Sequence, residues 1–158
     1  MTTYEAKNIA IALMEQHGLL AKGWKFQFNN RKRALGVCKW PAVGGGIIEL
    51  SHHFVRLNDA EAVRQTVLHE IAHAIAGPEA GHGPAWKMAC RHVGCKPRRC
   101  SSTRDGVTMP KGKYKLVCGT CNTEMRTYHR RPTRDLAQCY HPACGIKSVG
   151  TLRVHRNA

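Results

Sequence analysis

The pattern that most constrains the fold of this chain is His-Glu-X-X-His at positions 69–73, inside the largely apolar run TVLHEIAHAIA. On an α-helix, His69 and His73 leave the same face one turn apart, so both imidazoles can bind one metal ion. The neighbouring residues are almost all apolar, which indicates a helix that is buried on most sides. Because buried histidines need partners, the pattern predicts a metal-binding helix inside a globular domain.

Glu70, which follows the first histidine, is the residue type that serves as general base in this motif. Zinc is the expected metal, because three protein ligands and one open position allow it to activate water. Glu70 would take a proton from that water and pass it to a leaving amine. These residues predict a zinc metalloendopeptidase. Two alternatives stay open: a non-catalytic zinc- and DNA-binding protein in which Glu70 is idle, and a zinc hydrolase that cleaves another kind of bond.

Spacing alone leaves the third ligand of this zinc open among Glu79, His82 and His92. The metal-binding helix is expected to end at the Gly77–Pro78 turn. His82 lies between two glycines shortly after that turn, which can bring its side chain back over the first two histidines.

The remainder of the first hundred residues predicts an α+β fold. Thr2 and Glu5 match a capping box that begins an N-terminal helix, and Gly18 ends that helix. Asn58 is expected to cap the metal-binding helix, and Pro84 is expected to open a following helix. Three β-like runs between them are most simply interpreted as a short antiparallel meander. These runs are Trp24–Asn29, Ala34–Trp40 and Gly46–Ser51.

The HEIAH segment at 69–73 and the HGPAW segment at 82–86 together resemble the SprT family and the related Spartan-type metalloproteases. The resemblance implies a zincin-like minimal metalloprotease domain. It places the zinc ligands at His69, His73 and His82 and the catalytic acid at Glu70. It also implies a DNA-associated peptidase that degrades proteins trapped or crosslinked on DNA, which is a role in DNA–protein crosslink repair.

Two cysteine pairs near the C-terminus predict a second zinc site. Cys118 and Cys121 have two residues between them, Cys139 and Cys144 have four, and 17 residues separate the pairs. This spacing is typical of a zinc ribbon, and four thiolates would close the site, so its zinc is expected to be structural. His141 lies inside the second pair, and four cysteines are preferred over a ligand set that contains His141.

The basic charge of the chain is concentrated in its second part. The formal net charge is +15, and residues 91–158 hold 15 Lys and Arg against 3 Asp and Glu. Such a polycation predicts a DNA partner that is bound without sequence specificity, single-stranded DNA being one candidate. The predicted DNA contacts are Arg98, Arg99, Arg126, Arg130, Arg131 and Arg134.

These features predict three regions: a protease domain at 1–95, a basic linker at 96–113 and a zinc ribbon that binds DNA at 114–158. Two zinc ions are expected, one catalytic and one structural. The chain has no apolar run long enough for a membrane span and no signal-peptide pattern. It is therefore expected in the cytoplasm, associated with the nucleoid, or in the host cytoplasm if a phage encodes it. The chain is also expected to be a monomer.

Overall fold

The computed structural model describes residues 1–41, 43–98 and 106–157, and its mixture of helices and small sheets confirms the α+β class. The chain divides into two compact units, Met1–Pro110 and Lys111–Ala158. Among the described residues, no helix has the length and apolarity needed to cross a membrane. The helices are α1 (Thr3–Gln16), α2 (His52–Leu57), α3 (Ala60–Ala76) and α4 (Pro84–Val93). The strands are β1 (Lys25–Asn29), β2 (Gly36–Lys39), β3 (Ile47–Ser51), β4 (Tyr114–Cys118), β5 (Glu124–Tyr128) and β6 (Leu152–Arg156).

Helix α1 begins as its capping residues predict. The Glu5 N–H donates to Thr2 Oγ1 at 3.2 Å, and the Thr2 N–H donates to Glu5 Oε2 at 2.8 Å. This reciprocal pair satisfies two backbone donors that the first turn leaves free, so the predicted capping box is confirmed. The buried face of α1 consists of Ala6, Ala10, Leu13 and Met14.

The first sheet has the strand order β1-β3-β2, with β1 parallel and β2 antiparallel to β3, so the predicted antiparallel meander is wrong. After β1 the chain crosses the end of β3 instead of turning back in a hairpin. Two bonds from Ser51 hold this crossing: its hydroxyl donates to the Arg31 carbonyl at 2.5 Å, and its N–H donates to the Leu35 carbonyl at 2.9 Å. The chain then runs into β2 on the far side, which makes β2 an edge strand.

The link between the sheet and α3 differs from the prediction. A short helix, α2, follows β3 directly, and Asp59 rather than Asn58 caps α3 by accepting from the Ala62 N–H at 2.9 Å. Asn58 is buried and bonds to the chain beyond α4. Its Nδ2 donates to the Phe54 and Thr108 carbonyls at 2.7 and 2.8 Å, and its Oδ1 accepts from the Thr108 N–H at 2.7 Å. Thr108, which lies in the predicted basic linker, is therefore attached to the first unit.

The core of the first unit forms where α1, α3 and α4 pack together with one face of β3. Ile48 and Leu50 alternate along β3 and are fully buried against these helices. Each fully buried aliphatic side chain of this size contributes roughly 1.5–3 kcal/mol. The residues of α3 that pack in this core are Val63, Val67, Leu68, Ile71 and Ala72. Packing of α3 on this scale fixes the backbone from which the metal-binding side chains project.

The second unit, Lys111–Ala158, is built on a sheet in which β4 pairs antiparallel with both β5 and β6. Its buried apolar centre is small and consists of Leu116, Cys118 and Leu152. Units of this size rarely remain folded on such a core alone and commonly use a metal or disulfides. The paired cysteines of this unit are therefore expected to contribute to its stability.

Candidate metal centres

Helix α3 carries the first two histidines of the candidate site. His69 and His73 project from one face, and their Nε2 atoms lie 3.2 Å apart. Burial, together with the smaller effect of the neighbouring histidine rings, lowers the pKa of each imidazole to about 4. Both side chains are therefore neutral near pH 7, which is the form that binds a metal ion.

The third histidine reaches the site by a sharp reversal of the chain after α3. Gly77 has a φ of 90° and Gly81 a φ of 50°, which are backbone conformations that favour glycine. Between them, Pro78–Ala80 forms a single 3-10 turn. The His82 Nε2 atom consequently lies 3.2 Å from the Nε2 atoms of both His69 and His73.

The three histidines form one group of potential metal ligands, and neither Glu79 nor His92 belongs to it. Tetrahedral zinc with bonds of 2.0–2.1 Å to nitrogen separates its ligand atoms by about 3.3–3.4 Å. The 3.2 Å triangle of Nε2 atoms is close to that requirement. These residues therefore fit a zinc ion bound by three imidazoles, and no other described residue adds a fourth ligand to the group.

Glu70 is buried beside the edge strand of the sheet, and 7% of its surface is exposed. Burial raises the pKa of its carboxyl to about 8, although a hydrogen bond from the Cys38 backbone N–H acts in the opposite direction. Gly36 provides space for the carboxyl, since a Cβ at that position would lie 2.8 Å from Glu70 Oε1. The outer edge of β2 thus determines where the Glu70 side chain lies.

Comparison with known protein families gives a match over residues 9–106 to the SprT-like family. The chain belongs to the SprT-like family. The match contains His69, Glu70, His73 and His82, and it ends before the second unit begins. Residues 9–106 therefore form a metallopeptidase-like SprT-like domain. A search of curated proteins finds no match to the chain.

A cleft of about 170 Å³ in the first unit adjoins the metal-binding helix. His69 and Gln65 of α3 line one side, and Lys96, Arg98 and Val107 line the other. The Lys96 N–H donates to Gln65 Oε1 at 3.3 Å, which attaches this segment to α3. Arg98, a predicted DNA contact, thus lies beside the helix that carries the histidines. Arg99 lies outside the described residues.

The second unit, outside the SprT-like match, brings four potential metal ligands together: Cys118, Cys121, His141 and Cys144. Their ligand atoms all lie within 4.8 Å of one another. His141 Nδ1 is 3.3 Å from Cys121 Sγ and 3.4 Å from Cys144 Sγ. Three thiolates and one imidazole form one of the common ligand sets of structural zinc.

Cys139, the predicted fourth thiolate, is not in this group, and its Sγ contacts the Asp135 carbonyl at 3.6 Å. The reason lies in the local turn. His141 and Cys144 have two residues between them, as Cys118 and Cys121 do, and this spacing allows a tight metal-binding turn. The Cys144 N–H closes the turn by donating to the His141 carbonyl at 3.0 Å. The His-X-X-Cys spacing is the sequence signal that the preference for four cysteines overlooked.

A residue with a positive φ follows each pair of potential ligands, as a tight metal-binding turn commonly requires. Asn122 has a φ of 56° and Gly145 a φ of 58°, both in the left-handed region that the backbone of a metal-binding turn commonly needs. The Asn122 N–H donates to the Cys118 carbonyl at 2.8 Å, and the Gly145 N–H donates to the His141 carbonyl at 3.0 Å. The two halves of the cluster are therefore held by equivalent turns.

Four of the predicted DNA contacts belong to the second unit, where Arg126, Arg130, Arg131 and Arg134 are all exposed. Arg126 and Arg134 line a surface cleft of about 560 Å³ together with Tyr128 and Tyr140. The Arg126 guanidinium lies 5.6 Å from the centre of the Tyr128 ring, within the range of a cation–π contact. Arginine and tyrosine thus share one concave surface.

Proposed function

We propose that this chain is a zinc-dependent metalloendopeptidase that acts on proteins bound or crosslinked to DNA. The observation that supports this most strongly is the convergence of the His69, His73 and His82 Nε2 atoms, mutually 3.2 Å apart, on the helix that carries Glu70. No fourth donor joins this group among the described residues. Such a site, with an open ligand position, is typical of catalytic rather than structural zinc.

In this proposal each side chain has a distinct role. His69, His73 and His82 hold the zinc, which supplies Lewis-acid activation of water and of the substrate carbonyl when bound. Glu70 takes a proton from the attacking water and delivers it to the leaving amine. A nearby cation favours the ionised carboxylate, which counteracts the effect of burial on the Glu70 pKa. The Cys38 N–H also favours the ionised form.

The second zinc in the proposal is structural and is held by Cys118, Cys121, His141 and Cys144. Four protein ligands leave no position for a substrate, so this ion would stabilise the second unit without taking part in catalysis. Its binding free energy would add to the folding of a unit whose apolar centre is small.

The DNA partner is proposed from charge and surface chemistry. The exposed arginines of the second unit can neutralise phosphates without reading sequence, and the tyrosines that share their cleft can stack on unpaired bases. DNA bound there would keep the peptidase close to proteins on the same strand. We infer from this a role in DNA–protein crosslink repair in a nucleoid-associated, cytoplasmic setting.

The experiment that tests the function is proteolysis of a DNA-binding protein by the zinc-loaded chain, with no DNA, with single-stranded DNA and with duplex DNA. The matched control is Glu70→Gln, which keeps the size of the side chain and removes the base. We expect cleavage that depends on Glu70 and increases with DNA. Cleavage by zinc-loaded Glu70→Gln would contradict the assigned mechanism, and Glu70-dependent cleavage that DNA leaves unchanged would contradict the DNA-coupled role.

A further inference from the structure

Trp86 is fully buried in the first turn of α4 and contacts all three histidines of the candidate zinc site. Its ring centre lies 4.8 Å from that of His69, 5.3 Å from that of His73 and 4.5 Å from that of His82. The indole is stacked on His73 and meets the other two rings edge-on. One side chain thus touches every imidazole of the group.

Apolar packing alone would not favour tryptophan at position 86. The Trp86 Nε1 atom is buried and has no hydrogen-bond partner among the described residues. Burying an unpaired N–H costs roughly 1–3 kcal/mol, a cost that phenylalanine or leucine would avoid. An indole at this position therefore has a role besides apolar packing. Its contacts with the three imidazoles indicate that this role concerns the histidine rings.

Of the three candidate ligands, His82 is the one that lies outside a helix. It lies between Gly81 and Gly83, and glycine restricts the backbone less than any other residue. His69 and His73, in contrast, project from a helix that is packed in the core. Trp86 follows His82 by four residues and lies on a helix that begins at Pro84, so its indole can link the loop histidine to the two helix histidines.

We propose that Trp86 is a positioning residue that holds the three imidazoles in their metal-binding arrangement before the ion binds. The inference rests on the proposed zinc site and adds a residue that does not itself bind the metal. Groups that orient metal ligands typically change metal affinity by 10–100-fold when they are replaced. Trp86→Leu should therefore weaken zinc binding at the histidine site by about 10–100-fold, and Trp86→Phe should weaken it less.

The test measures zinc affinity by competition with a chromogenic chelator, together with the free energy of unfolding of each metal-free variant. His82→Ala identifies which zinc belongs to the histidine site. The matched control is Trp24→Leu, because Trp24 lies in the same core, is 9% exposed and packs against Trp40 instead of the histidines. Trp24→Leu should reduce stability and leave zinc affinity at the histidine site unchanged.

Trp86→Phe provides a second measurement if the leucine variant does not fold. Zinc affinity at the histidine site of Trp86→Phe should fall below the wild-type value, because the smaller ring cannot contact all three imidazoles as the indole does. Zinc affinity that is unchanged in folded Trp86→Leu, or in Trp86→Phe where the leucine variant does not fold, would overturn the role of Trp86 while leaving the zinc site intact. A wild-type protein that holds no zinc removable by His82→Ala would instead overturn the proposed function, and with it this inference.

Discussion

Gly36 and Glu70 are in such close contact that no larger residue fits at position 36 without movement of the carboxyl. A Cβ added to Gly36 would lie 2.8 Å from Glu70 Oε1 and 2.9 Å from Glu70 Cγ. The Cys38 backbone N–H, two residues along β2, acts to lower the pKa of the same carboxyl. The edge strand therefore limits the space in which the Glu70 carboxyl can lie.

Gly36→Ala should reduce cleavage by about 100-fold while the zinc content stays the same, because a displacement of catalytic geometry by about 1 Å can cost that much. The measurement is kcat on a peptide or protein substrate with zinc determined in parallel. Gly18→Ala is the matched control, since its added Cβ meets no atom within 4 Å. Because Gly18 has a positive φ, Gly18→Ala should lose some stability and therefore controls for a general loss of stability. Equal losses of activity in both variants would contradict a specific role for Gly36.

The ligand set of the second unit gives a prediction that separates His141 from Cys139. Cys139→Ser should keep two zinc ions per chain, because its Sγ lies outside the cluster. His141→Ala should lose the zinc of the second unit or bind it far more weakly, and should loosen that unit, since metal binding and folding are coupled. Zinc analysis and the Co²⁺–thiolate absorption of each variant check this. Loss of zinc from Cys139→Ser with retention in His141→Ala would restore the four-cysteine site.

The buried carboxylate of Glu49 should make the free energy of unfolding of the protein depend on pH. It is buried on β3, and burial alone would raise its pKa, but hydrogen bonds from Lys39, Gln27 and Asn29 and the charge of Lys39 hold the pKa below its usual value. A lowered folded-state pKa means that the stabilisation is present above the unfolded value, about 4.3, and is lost as pH falls through the folded value.

Glu49→Gln should therefore lower the free energy of unfolding at pH 7 by about 1–3 kcal/mol, and by less at pH 3. Denaturant unfolding with a chelator present at both pH values measures this without a contribution from zinc. Glu15→Gln, an exposed position on α1, is the control and should change little. An equal loss of stability at pH 7 and pH 3 would show that the Glu49 carboxylate charge is not what stabilises β3.

The arginines of the second unit should determine the affinity for DNA. Replacing Arg126, Arg130, Arg131 and Arg134 with glutamine should weaken binding and reduce the salt dependence, because each phosphate contact contributes a slope of about 0.7–0.9 in log Kd against log salt. Replacing Arg31, Arg33, Arg56 and Arg64 of the first unit is the control with equal charge loss. Binding titrations across salt concentrations distinguish the two sets, and a slope that stays at the wild-type value in the second-unit variant would remove these arginines from the contact surface.

Local signals in the sequence predicted the elements that depend on neighbouring residues. The reciprocal bonds of Thr2 and Glu5 span three positions, and Pro84 opens α4 through its own fixed φ. The pairing of His69 and His73 follows from the pitch of one helix. In each case the sequence contains both partners of the interaction within about one helical turn.

Features that depend on distant partners were not predicted. The order of the first sheet depends on Ser51, which bonds to Arg31 and Leu35 across the end of β3. The role of Asn58 depends on Thr108, 50 positions away. Neither contact leaves a periodic signal in the sequence. His141 is different, because its two-residue spacing from Cys144 is visible in the sequence.

The measurement that tests the central claim most directly is the zinc content of the purified chain and of His82→Ala, with cleavage measured on the same samples. The account predicts two zinc ions in the wild-type protein, one in His82→Ala, and no cleavage by the variant. The variant should keep the fold of the second unit, because His82 belongs to the first. Two zinc ions in a folded His82→Ala protein that still cleaves its substrate would contradict the three-histidine site on which the proposed function rests.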